Sequence, residues 1–149
     1  MPDIIEFLRK QKETVQSPEM AKKQKLWLEA VHGLLKEIRA WLAEAEGQNL
    51  IKVEEGQTSI TEETTGTYKA PMLTLSVPST AKEVKVVPIG RTIIGADGRV
   101  DVKSLKGTYI LLYLADRHLW VHGRKGGRPE EFPIVDKDLF TDLLTRSLA

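Results

Sequence analysis

The stretch "GTYILLYLADRHLWVHG", residues 107–123, holds two apolar runs on either side of the polar pair Asp116-Arg117. If that pair is a turn, the runs form an antiparallel hairpin. Pairing outward from Ala115 and His118 then matches Leu114 with Leu119 and Leu112 with Val121, an aliphatic face that includes Ile110. The opposite face carries Tyr113 beside Trp120, Leu111 beside His122, and Tyr109 one step on. Both faces are apolar, whereas a half-solvated antiparallel hairpin needs only one such face. Something must cover the aromatic side. Two covers are open: a helix of this chain, or a protein partner that recognises Tyr109, Tyr113, Trp120 and His122, since aromatic side chains with a polar tip are favoured at interfaces.

The same period of two runs back to Gly47. "LIKVEE" and "TSITEE" read as short strands, "PMLTLSV" sets Leu73, Leu75 and Val77 against Thr74 and Ser76, and "EVKVVPIG" sets Val84 and Val86 against Lys85. Turn chemistry separates the runs at Glu55-Gly56, Thr65-Gly66, Pro78-Ser79 and Asp97-Gly98. Consecutive strands on tight connections predict an antiparallel meander. In "IIGADGRVDVKSL", residues 93–105, Asp97-Gly98 resembles the middle of an EF-hand loop, but aligning Gly98 with the loop glycine leaves Asp97 as the one strong ligand. A two-residue hairpin turn fits better, pairing Gly95 with Val100, Ile94 with Asp101 and Ile93 with Val102. No metal is expected there.

Before Gly47 the period is helical. A first helix is expected from Asp3 to about Val15, with Ile5 and Leu8 on one side. Ser17 suits an N-cap and Pro18 the first position of a second helix. Trp27, Val31, Leu34, Ile38, Trp41 and Ala45 follow at alternating spacings of four and three, and Gly47 stops the run. From Pro18 to Glu46 such a helix spans on the order of 43 Å, against about 17–20 Å for a typical strand. It should overhang its sheet, leaving Trp27 and Trp41 to face the core or a partner. Near the C-terminus, Asp136 or Asp138 can cap a last helix burying Leu139, Phe140, Leu143 and Leu144.

The expected fold is α+β: an N-terminal helical hairpin with one long helix, an antiparallel meander of about six or seven strands, and a C-terminal helix. Residues 1–47 form the helical segment and 48–149 the sheet with its helix, together one compact unit. A chain of 149 residues, 41% hydrophobic and 29% charged, is ordinary for a globular protein. Its net charge of +1 sets up no global field toward nucleic acid or anionic membrane. It has no cysteine, which removes thiol catalysis and zinc-thiolate sites and suits a reducing compartment. No membrane-length apolar run occurs, so a cytoplasmic protein is expected.

Few residues suggest chemistry. His118 and His122 have the spacing of a helical zinc pair, but on a strand they lie roughly 13 Å apart, too far for one ion. "GRKGGRP", residues 123–129, puts Arg124, Lys125 and Arg128 among glycines, a possible phosphate contact. It resembles an AT-hook core, with Gly126 where that motif has its first arginine. A second basic cluster, Arg9, Lys10, Lys12, Lys22, Lys23 and Lys25, and an acidic one, Glu44, Glu46, Glu54, Glu55, Glu62 and Glu63, read as solvated. No nucleophile, base and oxyanion site can be assembled, and no cofactor is expected. The leading reading is a non-enzymatic interaction module that binds another protein, or a second copy, through the aromatic face or the long helix. The alternative is a nucleic-acid-binding module stacking bases on Tyr113, Trp120 and His122 beside the basic loop.

Overall fold

The computed structural model describes residues 3–15, 18–63, 66–91 and 96–149. Ser17, Thr65 and the Ile93–Gly95 half of the expected hairpin lie outside them. Within the described residues the helices are α1 (Ile4–Val15), α2 (Pro18–Trp41), the five-residue α3 (Ala43–Gly47) and α4 (Lys137–Leu148). Between α3 and α4 run β1 (Lys52–Glu62), β2 (Gly66–Ser76), β3 (Glu83–Gly90), β4 (Gly98–Ser104), β5 (Gly107–Leu114) and β6 (Leu119–His122). The six strands form one sheet in sequence order, every pair antiparallel. This is the α+β meander with a long N-terminal helix and a C-terminal helix that the periodicity implies.

The period-3.6 stripe of α2 lies on one face of the sheet. Trp27, Val31, Leu34, Leu35 and Ile38 are buried there against Leu73, Leu75, Val84, Val86, Val100, Val102 and Leu111. Each such side chain contributes on the order of 1.5–3 kcal/mol on burial. Asp136 caps α4 by accepting from the backbone N–H of Leu139 at 2.8 Å, which aims Phe140, Leu143 and Leu144 at the same face. Trp41 of α2 closes the gap between the helices, packing on Phe140 at 5.8 Å. A smaller cluster, Leu112, Leu114 and Val121 with Phe132, occupies the other face of the last hairpin.

The helix of α2 ends at Trp41, and Leu42 breaks it before α3; the Leu42 N–H is shared between the carbonyls of Ile38 and Arg39. Two strand assignments also change. Gly56 is not a turn: "LIKVEE" and "TSITEE" are one strand, β1, in which Gly56 pairs with Met72 and the register stays regular from Lys52 to Glu62. Pro71 is tolerated in β2 because the ladder to β3 spans only Leu73 to Ser76, so Pro71 has a strand on one side alone.

The Asp97-Gly98 hairpin is also overturned. Val100 pairs with Pro88 and Leu111, and Val102 with Val86 and Tyr109, so β4 is sandwiched between β3 and β5. Neither Asp97 nor Gly98 has the positive φ that a type I′ turn requires. Gly98 is there for space. A Cβ on it would lie 2.1 Å from Cζ3 of Trp27 and 2.6 Å from Cε3. Gly98→Ala therefore forces the indole aside and should cost about 1–3 kcal/mol in urea denaturation. Because both changes act on one contact, adding Gly98→Ala to Trp27→Leu should cost clearly less than it does alone. Additive effects would show that the contact does not matter.

Candidate functional site

The hairpin of β5 and β6 has the register deduced for it: Leu111 opposite His122, Leu112 opposite Val121, Tyr113 opposite Trp120 and Leu114 opposite Leu119. A 3-10 turn, Ala115–Arg117, joins them, with His118 in the left-handed region at φ 51°. Asp97 holds the start of this turn by accepting from Ala115 N–H at 2.8 Å.

The aromatic face of this hairpin is covered by the chain's own helices. Trp120 meets Trp27 of α2 at a centroid distance of 5.9 Å and Tyr113 at 4.9 Å. Trp27, Trp120 and His122 are 3%, 8% and 8% exposed. Tyr109, Tyr113 and Trp41 are half-buried and pack against the same core. Of the six residues expected to meet a partner, three are therefore interior and three lie at its margin. The basic residues Arg124, Lys125 and Arg128 lie on an exposed loop turned by Gly126 and Gly127 at φ 73° and 81°.

One open region lies beside the N-terminal half of α2. A cavity of about 800 Å³ opens between Met20, Leu26 and Trp27 on one wall and Arg91, Asp97 and Tyr113 on the other. Burial, and then the Asp97 carboxylate, push the Tyr113 hydroxyl above its ordinary pKa, so it stays protonated at neutral pH. Above this groove Leu26 is 54% exposed. On α1, Ile4, Ile5, Phe7 and Leu8 are 63%, 62%, 55% and 56% exposed. Their helical positions form one apolar side. Arg9 and Lys10 lie beyond it and Lys22, Lys23 and Lys25 follow on α2, all exposed.

One polar cluster was not legible. Glu62, expected among solvated acids, is 8% exposed. Its carboxylate accepts from the Tyr68 hydroxyl at 2.9 Å, from the Arg91 N–H at 2.5 Å and from Arg91 Nε at 3.1 Å. This ties the far end of the β1–β2 hairpin to the end of β3. Burial, and then the Glu62 carboxylate, raise the Tyr68 pKa well above its usual range. Its only sequence signal is an alternation: Ile60 and Glu62 fall on one side of β1.

Among the described residues no cluster of three or more His, Cys, Asp or Glu could hold a metal ion. No helix there is long and apolar enough to cross a membrane. His122 stacks edge-on to Tyr109 at 5.9 Å, and its Nδ1 is buried without a hydrogen-bond partner. Burial depresses its pKa, Arg124 and Arg146 add to the effect, and Asp142 opposes it.

The sign follows from the depressed folded value. The stability due to neutral His122 is fully present above its unfolded pKa of about 6.5 and falls as pH drops from there through the folded value. Urea titrations at about pH 7.5 and about pH 5.5 should show His122→Phe losing less stability than the wild type between them. An identical loss in both proteins would contradict the assignment. Compared with known proteins, the chain matches no family model, no curated protein and no solved structure.

Proposed function

We propose that this protein is a non-enzymatic interaction module that docks on another protein through α1 and the exposed start of α2. One observation carries the reading: among the described residues, five of the nine exposed large apolar side chains gather on these helices, at Ile4, Ile5, Phe7, Leu8 and Leu26, while Leu50, Ile89, Leu105 and Ile134 are scattered. A twelve-residue helix is marginal in water by itself. Burying its apolar side in a groove of another chain would stabilise it, as in helix-in-groove recognition. Arg9 on α1 and Lys22 and Lys25 on α2 are exposed on the same two helices, so the matching groove is apolar with an acidic rim.

The aromatic residues then have a different part from the one first expected. Trp27 and Trp120 pack α2 on the sheet, His122 packs on Tyr109, and Tyr113 contributes to the adjoining cavity. The shifted tyrosines and histidine have structural causes, namely burial and the neighbours Glu62, Asp97 and Arg124. A reading as a nucleic-acid module keeps the cations of Arg124, Lys125 and Arg128, but its stacking rings Trp120 and His122 face inward. A cytoplasmic setting suits a chain without cysteine.

The double variant Phe7→Glu/Leu8→Glu separates docking from folding. Both positions are exposed, so its stability should stay within about 0.5 kcal/mol of the wild type. Affinity capture from the native host should retain an acidic-surfaced protein with the wild type and lose it with the variant. Identical capture by both proteins would sink the proposal.

A further inference from the structure

The sheet has two edges, and they are treated differently. At β6, the segment 133–135 acts as a short extra strand. Val135 N–H donates to the Trp120 carbonyl at 2.9 Å, His122 N–H donates to the Pro133 carbonyl at 2.8 Å, and Ile134 bridges Val121. At β1, among the described residues, no backbone group pairs with the outward side of the strand from Lys52 to Thr61. An open groove of about 730 Å³, lined by Leu35, Arg39, Glu55, Gln57 and Met72, lies between this edge region and α2, bridged where the Arg39 guanidinium donates to Glu55 at 2.7 Å.

Edge strands left open usually carry lysines, prolines or bulges along their length, because unpaired N–H and C=O groups are a template for another strand. β1 carries Lys52, Glu54 and Glu55 in its first half. From Gly56 to Thr61 the sequence "GQTSIT" has no charge and no proline, and no bulge interrupts its ladder to β2. Gln57 and Ser59 are exposed.

We infer that β1 is the seam of a homodimer, pairing antiparallel with β1 of a second copy about a two-fold axis at Gln57. The strand is complementary to itself in that arrangement. Glu55 faces Ser59 of the other copy, Glu54 faces Ile60, and Gly56 faces Thr58, so the acidic half of each strand lies on the neutral half of its mate. Moving the axis to Glu55 sets that acid against itself, and like charges directly opposite are destabilising; Glu62, held by Arg91 within its own copy, does not enter this comparison. The two-fold register is what an isologous interface requires, and it satisfies the open edges of both copies together. This dimer does not depend on the docking role of α1.

The native chain has no cysteine, so single-cysteine variants report the seam cleanly. Gln57→Cys places two thiols at the axis and should cross-link rapidly under mild oxidation, whereas Lys82→Cys, in the exposed β2–β3 turn, should not. Sedimentation of the full chain over a concentration series should show a monomer–dimer equilibrium. Gln57→Lys/Ser59→Lys should weaken it by at least about tenfold, equivalent to about 1.4 kcal/mol, with a melting curve unchanged at dilutions where both proteins are monomeric. A wild type monomeric at every concentration overturns the inference, even if it binds extended peptides at this edge. So does a dimer indifferent to the lysines, or equal cross-linking of the two cysteine variants.

Discussion

The flat contact between the Trp27 indole and the backbone of Gly98 fixes where the long helix sits on the sheet. The ring lies closer to the β4 backbone than any side chain would permit. From that position it reaches Trp120 on β6, and Trp120 in turn reaches Tyr113 on β5. One aromatic chain therefore links α2 to three strands. The remaining α2 stripe, Val31, Leu34 and Ile38, continues down the same face and leaves room for α4 beside it. Trp41 and Phe140 complete the roof where the two helices meet.

The opposite end of the sheet is held by a different kind of force. The β1–β2 hairpin extends past the β3 ladder, where Ile60 comes close to Gly90 but no ladder hydrogen bond gives support. Glu62 supplies it instead, with one carboxylate receiving a tyrosine hydroxyl, a guanidinium and a backbone amide. A buried carboxylate without partners would be costly, and these three contacts offset its desolvation. They also explain the crowding at Gly90, where a Cβ would lie 3.2 Å from Glu62 Oε1.

The β5–β6 register could be read from residues 107–123 because two period-two runs flanked one polar turn, and a shift of one residue would have put Leu112 and Tyr113 on exchanged faces. The α2 stripe was legible for the same reason at period 3.6. Glycine was the recurring source of error. At Gly56 it lies within a smooth strand, and at Gly98 it admits an indole; a turn glycine looks the same as either in a sequence. Length arithmetic implied an overhang for a helix running to Glu46, but α2 ends at Trp41 and β1 and β2 are eleven residues each. Trp27 and Trp41 lie on the covered part of the helix, and the uncovered surface is at Leu26 and along α1. Glu62 was unreadable because its partner Arg91 is 29 residues away and only the curl of the hairpin brings them together.

The strap formed by Pro133, Ile134 and Val135 has a consequence for colony-like growth of the sheet. Fibrils and head-to-tail filaments need two adhesive rims per molecule, so that every addition exposes a fresh one. With β6 already paired to its own strap, a union along β1 would use the longer open rim of both participants. Where two copies join at β1, the short strap, with a proline that has no N–H to donate, offers little backbone at the far rim for a further copy.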